Sequence, residues 1–122
     1  MRILVADDFE DTRDVMKLLL EMLGNEVFQA NDGREAVEVA SRSDPDLILM
    51  DLDMPVMDGI AATKALRLLG RTRHVPIVAM SAHCANGDWD ERALAAGCNE
   101  CLPKPLDFDS LGSVLSHYVP KS

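Results

Sequence analysis

Three runs of four apolar residues constrain this chain most: Ile3-Leu4-Val5-Ala6, Leu47-Ile48-Leu49-Met50 and Ile77-Val78-Ala79-Met80. Each is shorter than a buried helix needs and none alternates with polar residues, so each reads as a strand of a parallel sheet covered on both faces. Each run also ends in a chemically distinctive residue. Asp7 and Asp8 follow the first, Asp51 and Asp53 the second and Ser81 the third, while Lys104 follows a weaker run at 100–102. Polar residues at the carboxyl ends of parallel strands mark the edge where open α/β sheets bind ligands.

Between the runs the periodicity turns helical, so five strands alternate with five helices in the manner of βαβ units. Val15, Leu18, Leu19 and Met22 have the i, i+3, i+4, i+7 spacing of an amphipathic helix and predict its buried face, with Gly24 as its C-terminal cap. A short strand is expected at 26–30. Asp32 stands three residues before Glu35, a capping-box spacing that opens a second helix through Val37 and Ala40, ended before Pro45. A third helix is expected over 58–69 with Gly70 after it, and Pro76 precedes the fourth strand. A fourth helix runs from about 88 to 96, with Trp89, Ala93 and Ala96 on one face and Gly97 suited to a left-handed stop. The last carries Leu111, Val114, Leu115 and Tyr118 at helical spacing, and Pro120 blocks its extension.

Composition narrows the function. With 122 residues, 48% hydrophobic and 27% charged, the chain suits one globular domain over residues 1–122. No apolar stretch approaches the roughly 20 residues that cross a bilayer, and the N-terminus lacks a secretory pattern, so the expected location is cytoplasmic, without membrane insertion. A net charge of -9 opposes direct binding to nucleic acid or anionic lipid. Cys84, Cys98 and Cys101 make an odd set in such a chain, and reduced thiols are expected. The spacing of Cys98 and Cys101 invites a zinc reading, but residues three apart on a strand face opposite sides, which argues against it.

If the first and third strands are neighbours, Asp7, Asp8 and Asp51 converge. Two carboxylates near 4 Å repel by roughly 4 kcal/mol at an effective dielectric of about 20, so the cluster needs a cation or must protonate. Oxygen donors suit Mg²⁺, and Lys104 brings a second positive charge. Asp51 is the best candidate nucleophile, because residues 54–59 after it read as a tight, shaped loop. A carboxylate held ionised in this way can attack phosphorus to give an aspartyl phosphate. Mg²⁺ and Lys104 would offset charge on the transferring group, and Ser81 could donate a hydrogen bond to it afterwards.

Asp7-Asp8, the stretch from Asp51 to Gly59, Ser81-Ala82 and Lys104-Pro105 resemble, in order and over essentially the whole chain, the receiver domain of two-component response regulators, chemotaxis regulators included. The resemblance implies a flavodoxin-like, doubly wound αβα fold of three layers, its five parallel strands in the order 2-1-3-4-5. It implies that Asp51 is the phosphoacceptor and that Asp8 and Asp51 bind Mg²⁺ through their side chains. Asp7 would act through a water and Asp53 through its backbone carbonyl. Ser81 would close on the phosphate and Lys104 bridge to it, helped by a cis Lys104-Pro105 bond, while His83 and Asp53 would tune dephosphorylation. The donor would be a phosphohistidine on a sensor histidine kinase or histidine phosphotransfer domain, and the domain would catalyse only its own phosphorylation and dephosphorylation. One departure bears on output: Cys101 stands where the family usually carries an aromatic that moves with the hydroxyl residue. Two other readings compete. Asp51 and Asp53, one residue apart, also suit an aspartate-nucleophile phosphohydrolase, although Pro55 departs from that motif and no lid domain is visible. The chain would also fit a degenerate receiver used only for docking.

Overall fold

The computed structural model describes residues 1–54, 57–81, 87–104 and 108–118, the side chains of 87–90 and 108 excepted. The elements in chain order are β1 (Arg2–Ala6), α1 (Glu10–Met22), β2 (Glu26–Ala30), α2 (Gly33–Ser43), β3 (Leu47–Asp51), α3 (Gly59–Leu68), β4 (Ile77–Ser81), α4 (Gly87–Ala96), β5 (Glu100–Pro103) and α5 (Phe108–His117). The strands form one parallel sheet in the order β2-β1-β3-β4-β5. This is the flavodoxin-like order that the resemblance implied.

The unbroken apolar runs have a simple cause. In β1, Leu4 and Ala6 join a core cluster with α2, α3 and α4, whereas Ile3 and Val5 join a second cluster with α1 and α5. The same alternation divides Ile48 and Met50 from Leu47 and Leu49 in β3, and Ile77 and Ala79 from Val78 and Met80 in β4. Successive side chains leave opposite faces, so a strand between two helical layers must be apolar at every position. All five residues of β3 and of β4 are buried.

The helix signals act as the sequence suggests. The Asp32 side chain accepts from the Glu35 N–H at 2.8 Å, and Asp58 accepts from Ala61 N–H at 2.8 Å, each satisfying a first-turn donor. Gly24 and Gly97 take φ of +91° and +117°, ending α1 and α4 in the left-handed region. Helix α2 runs three residues past Ala40, and β5 one past Leu102. Leu111, Val114 and Leu115 are buried, as are Ala93 and Ala96, while the Trp89 side chain and Pro120 lie outside the described residues.

Two expectations are corrected. On α1 the buried residues are Met16 and Leu20, with Leu19 half-buried, whereas Val15, Leu18 and Met22 are 55%, 59% and 67% exposed. Helix α1 carries two apolar stripes of helical spacing, 15-18-22 and 16-19-20, and only the second meets the sheet. The cysteines are not all reduced: Cys98 is free and buried, its thiol 3.5 Å from Thr63 Oγ1, but Cys101 is disulfide-bonded. The expectation of reduced thiols rested on cellular compartment, which does not register where the fold places Cys101. Burial pushes the Cys98 thiol pKa upward, partly countered by Thr63 and Arg67.

Candidate functional site

Register places the polar residues. Ala6 pairs with Met50, so Asp7 and Asp51 end adjacent strands side by side; Asp51 pairs with Met80, and Ser81 with Pro103, which brings Lys104 to the same edge. The backbone then ties this edge together, with Asp7 N–H donating to the Ala30 carbonyl, Leu52 N–H to Met80 and Lys104 N–H to Ser81. A Cβ on Gly59, at the start of α3, would collide with the Asp51 carbonyl oxygen. Only glycine lets α3 begin so close behind the strand.

Asp51 is 1% exposed and both of its oxygens are engaged. Oδ1 accepts from the Asp53 N–H at 2.9 Å, and Oδ2 lies 2.9 Å from Lys104 Nζ. Asp7, fully buried, accepts from the Phe9 N–H through Oδ1 at 2.9 Å. Its Oδ2 makes no hydrogen bond and has only a 3.4 Å ion-pair contact with Lys104 Nζ. The Arg13 guanidinium donates to the Asp7 carbonyl at 2.9 Å, holding α1 against the end of β1. Ser81, also fully buried, donates from Oγ to Asp53 Oδ2 at 3.1 Å.

The electrostatics follow from crowding. Burial raises the pKa of Asp7, and the Asp51 charge adds to this, against the lowering effects of the Phe9 N–H and Lys104. Lys104 is pulled two ways: burial alone would lower its pKa, but the hydrogen bond and charge of Asp51, then the nearby charge of Asp7, raise it overall. One lysine thus faces two buried carboxylates.

Among the described residues, Asp7, Asp8 and Asp51 form an acidic group able to hold a metal, with one oxygen from each lying within 4.8 Å of the others. Charges at that separation repel by about 3 kcal/mol per pair at an effective dielectric near 20. The orphaned Oδ2 of buried Asp7 is the strongest sign of fit, because a buried carboxylate oxygen without a donor is costly and a hard cation would satisfy it. The all-oxygen donor set suits Mg²⁺.

The structure therefore brings Asp7, Asp8, Asp51, Asp53, Ser81 and Lys104 to one edge. His83, Pro105 and its peptide bond lie outside the described residues. The contact between Asp53 and Ser81, and the Arg13 support of Asp7, have no signal in the sequence, since each joins residues through tertiary structure.

The chain is 40% identical over 123 residues to hybrid signal transduction histidine kinase G of Dictyostelium discoideum, covering 98% of this chain but 4% of that protein. It spans 12% to 13% of other sensor histidine kinases that it matches. With the polar-differentiation response regulator DivK of Brucella anthropi it is 31% identical over 117 residues, covering 96% of this chain and 94% of DivK. Among solved structures, the receiver domain of a sensor histidine kinase from Pseudomonas aeruginosa, with a magnesium ion coordinated in its active site cleft, superposes with a TM-score of 0.88. That pair is 38% identical and covers 96% of this chain and 95% of the other. Residues 3–116 match the response regulator receiver domain, and the chain belongs to that family.

Proposed function

We propose that this receiver is a phosphorylation-operated switch of a two-component or phosphorelay system in which Asp51 accepts a phosphoryl group from a phosphohistidine. The observation that carries the reading is a buried Asp51 carboxylate 2.9 Å from Lys104, beside an acidic group with an unsatisfied oxygen. Asp7, Asp8, Asp51 and the backbone carbonyl of Asp53 would hold Mg²⁺, which when bound supplies positive charge to the phosphoryl oxygens. A carboxylate oxygen of Asp51 attacks phosphorus while the phosphorus–nitrogen bond breaks, and the imidazole leaves with that electron pair. Lys104 balances negative charge on the transferring group, and Ser81 donates to it once it is in place. Hydrolysis of the aspartyl phosphate resets the switch, so the domain acts on itself and turns over no separate substrate.

The donor fits a sensor histidine kinase or histidine phosphotransfer domain. Phe9, 60% exposed beside the site, and the outward Val15, Leu18 and Met22 of α1 supply an apolar surface on which such a partner can dock. No helix among the described residues is long and apolar enough to cross a membrane. A single receiver over residues 1–122, working in the cytoplasm, is the arrangement proposed.

The test is intact mass after incubation with acetyl phosphate and Mg²⁺. Wild type should gain about 80 Da, one phosphoryl group on a covalent intermediate, and Asp51→Asn should gain nothing. No adduct on wild type with active donor would leave a receiver that only docks; continuous consumption of donor without an adduct would favour a phosphohydrolase.

A further inference from the structure

We infer that Asp53 is a positioning residue that latches the Ser81 hydroxyl away from Asp51 in the resting domain, so that phosphorylation must break the bond between them. The inference rests on the phosphorylation reading above. Ser81 is fully buried at the end of β4, and its carbonyl is pinned by the Lys104 N–H at 3.1 Å. That bond restrains its backbone, and rotation about the side-chain bond can redirect the hydroxyl. That hydroxyl has one proton. In this structure the proton is directed to Asp53 Oδ2 at 3.1 Å, so it cannot also serve a phosphoryl oxygen on Asp51.

Asp53 is well placed to couple the two events. Its N–H holds Asp51 Oδ1 at 2.9 Å while its carboxylate holds Ser81, so one residue touches both the acceptor and the hydroxyl that would answer it. The bond is charge-assisted, which makes it stronger than a neutral one. Once Asp51 carries a dianionic phosphoryl group, two acceptors compete for one proton, and the closed state forms only to the extent that the phosphoryl group wins.

The latch makes a prediction that plain charge repulsion does not. The probe is beryllofluoride, a phosphoryl mimic, titrated with Mg²⁺ into the whole chain by calorimetry. Asp53→Ala should tighten binding about tenfold, the worth of one hydrogen bond to a charged group, and Asp53→Asn, which keeps an acceptor oxygen without the charge, about threefold. In a Ser81→Ala background the Asp53→Ala gain should vanish, because no hydroxyl is left to release. A gain of equal size with and without Ser81, or equal gains from Asn and Ala, would make Asp53 a simple repulsive charge and overturn the latch. No gain from Asp53→Ala also overturns it. Wild type that binds no mimic and forms no acetyl-phosphate adduct would instead remove the phosphorylation reading, and the latch with it.

Discussion

The two ends of the central strands are finished in opposite ways. At the carboxyl end, three acidic side chains crowd together, two of them against one lysine, and a buried oxygen of Asp7 lacks a hydrogen bond. At the amino end, a single cation binds nearly everything within reach. The Arg67 guanidinium donates to the carbonyls of Gly97, Thr72, Arg73 and Val75 and to Asn99 Oδ1, at 2.7–3.1 Å. Asn99 Oδ1 also accepts from the Ile77 N–H at the start of β4. One side chain therefore joins the end of α3, the connection to β4 and the turn between α4 and β5. The contrast teaches where this fold stores stability: the amino end satisfies the polar groups around Arg67, and that surplus tolerates frustration at the edge where Mg²⁺ is proposed to bind.

Removing Arg67 should break the comparison most strongly. Arg67→Ala takes the guanidinium from the carbonyls of Gly97, Arg73 and Val75, while Thr72 keeps the Val75 N–H and Asn99 Oδ1 the Ile77 N–H, and should lower unfolding stability by about 2–4 kcal/mol, read from urea midpoints. Arg67→Lys should recover less than half, because a lysine cannot present the planar fork of donors that reaches both loops. A loss below about 0.5 kcal/mol for the alanine variant would mean that water satisfies those carbonyls equally well.

At the other end the sign should reverse. Asp7→Asn replaces a carboxylate whose surroundings disfavour charge, and should raise metal-free stability by about 1 kcal/mol at neutral pH while reducing the gain from millimolar Mg²⁺. The pH dependence follows from linkage. The pKa of Asp7 is raised above 3.8 in the folded state, so its unfavourable contribution is absent below 3.8 and develops as pH rises through the folded value. The advantage of the asparagine variant should therefore shrink as pH falls toward 3.8. Equal urea midpoints for the two proteins at neutral pH would contradict this account.

The smallest effect lies at the edge strand, where Glu100 opens β5. Burial raises the pKa of Tyr118, and the charge of Glu100 and a hydrogen bond to it raise it further. Tyr118 is the only tyrosine, so its ionisation can be followed by ultraviolet absorbance. The midpoint should lie above 10 and fall in Glu100→Gln; stability tied to the neutral phenol is fully present below 10 and is lost as pH rises through the folded value.

The sheet and its polar edge were legible in the sequence for a physical reason. A strand buried on both faces has no polar positions to spare, so an aspartate after Ala6 or Met50, or a serine after Met80, stands out against the run before it. The α1 face was less legible, because Val15-Leu18-Met22 and Met16-Leu19-Leu20 both satisfy helical spacing and only packing against the sheet chooses between them. Arg67 gave no signal at all. Its acceptors are backbone carbonyls of two connections, and a carbonyl leaves no mark on residue type. The bond between Ser81 and Asp53 was hidden similarly, spanning 28 residues and joining side chains that each had a role of its own.

The strand order bears on how the site comes together in time. β1 lies between β2 and β3, all three drawn from the first 51 residues, while β4 and β5 add in turn along one side. Asp7, Asp8 and Asp51 all belong to the earlier group, and Lys104 to the segment after the last strand. In a chain that folds as it emerges from the ribosome, N-terminus first, the acidic cluster is assembled before its counter-charge exists. The lysine at this edge is thus also the closing clasp of the sheet: until β5 docks, nascent β1–β3 carry unbalanced negative charge.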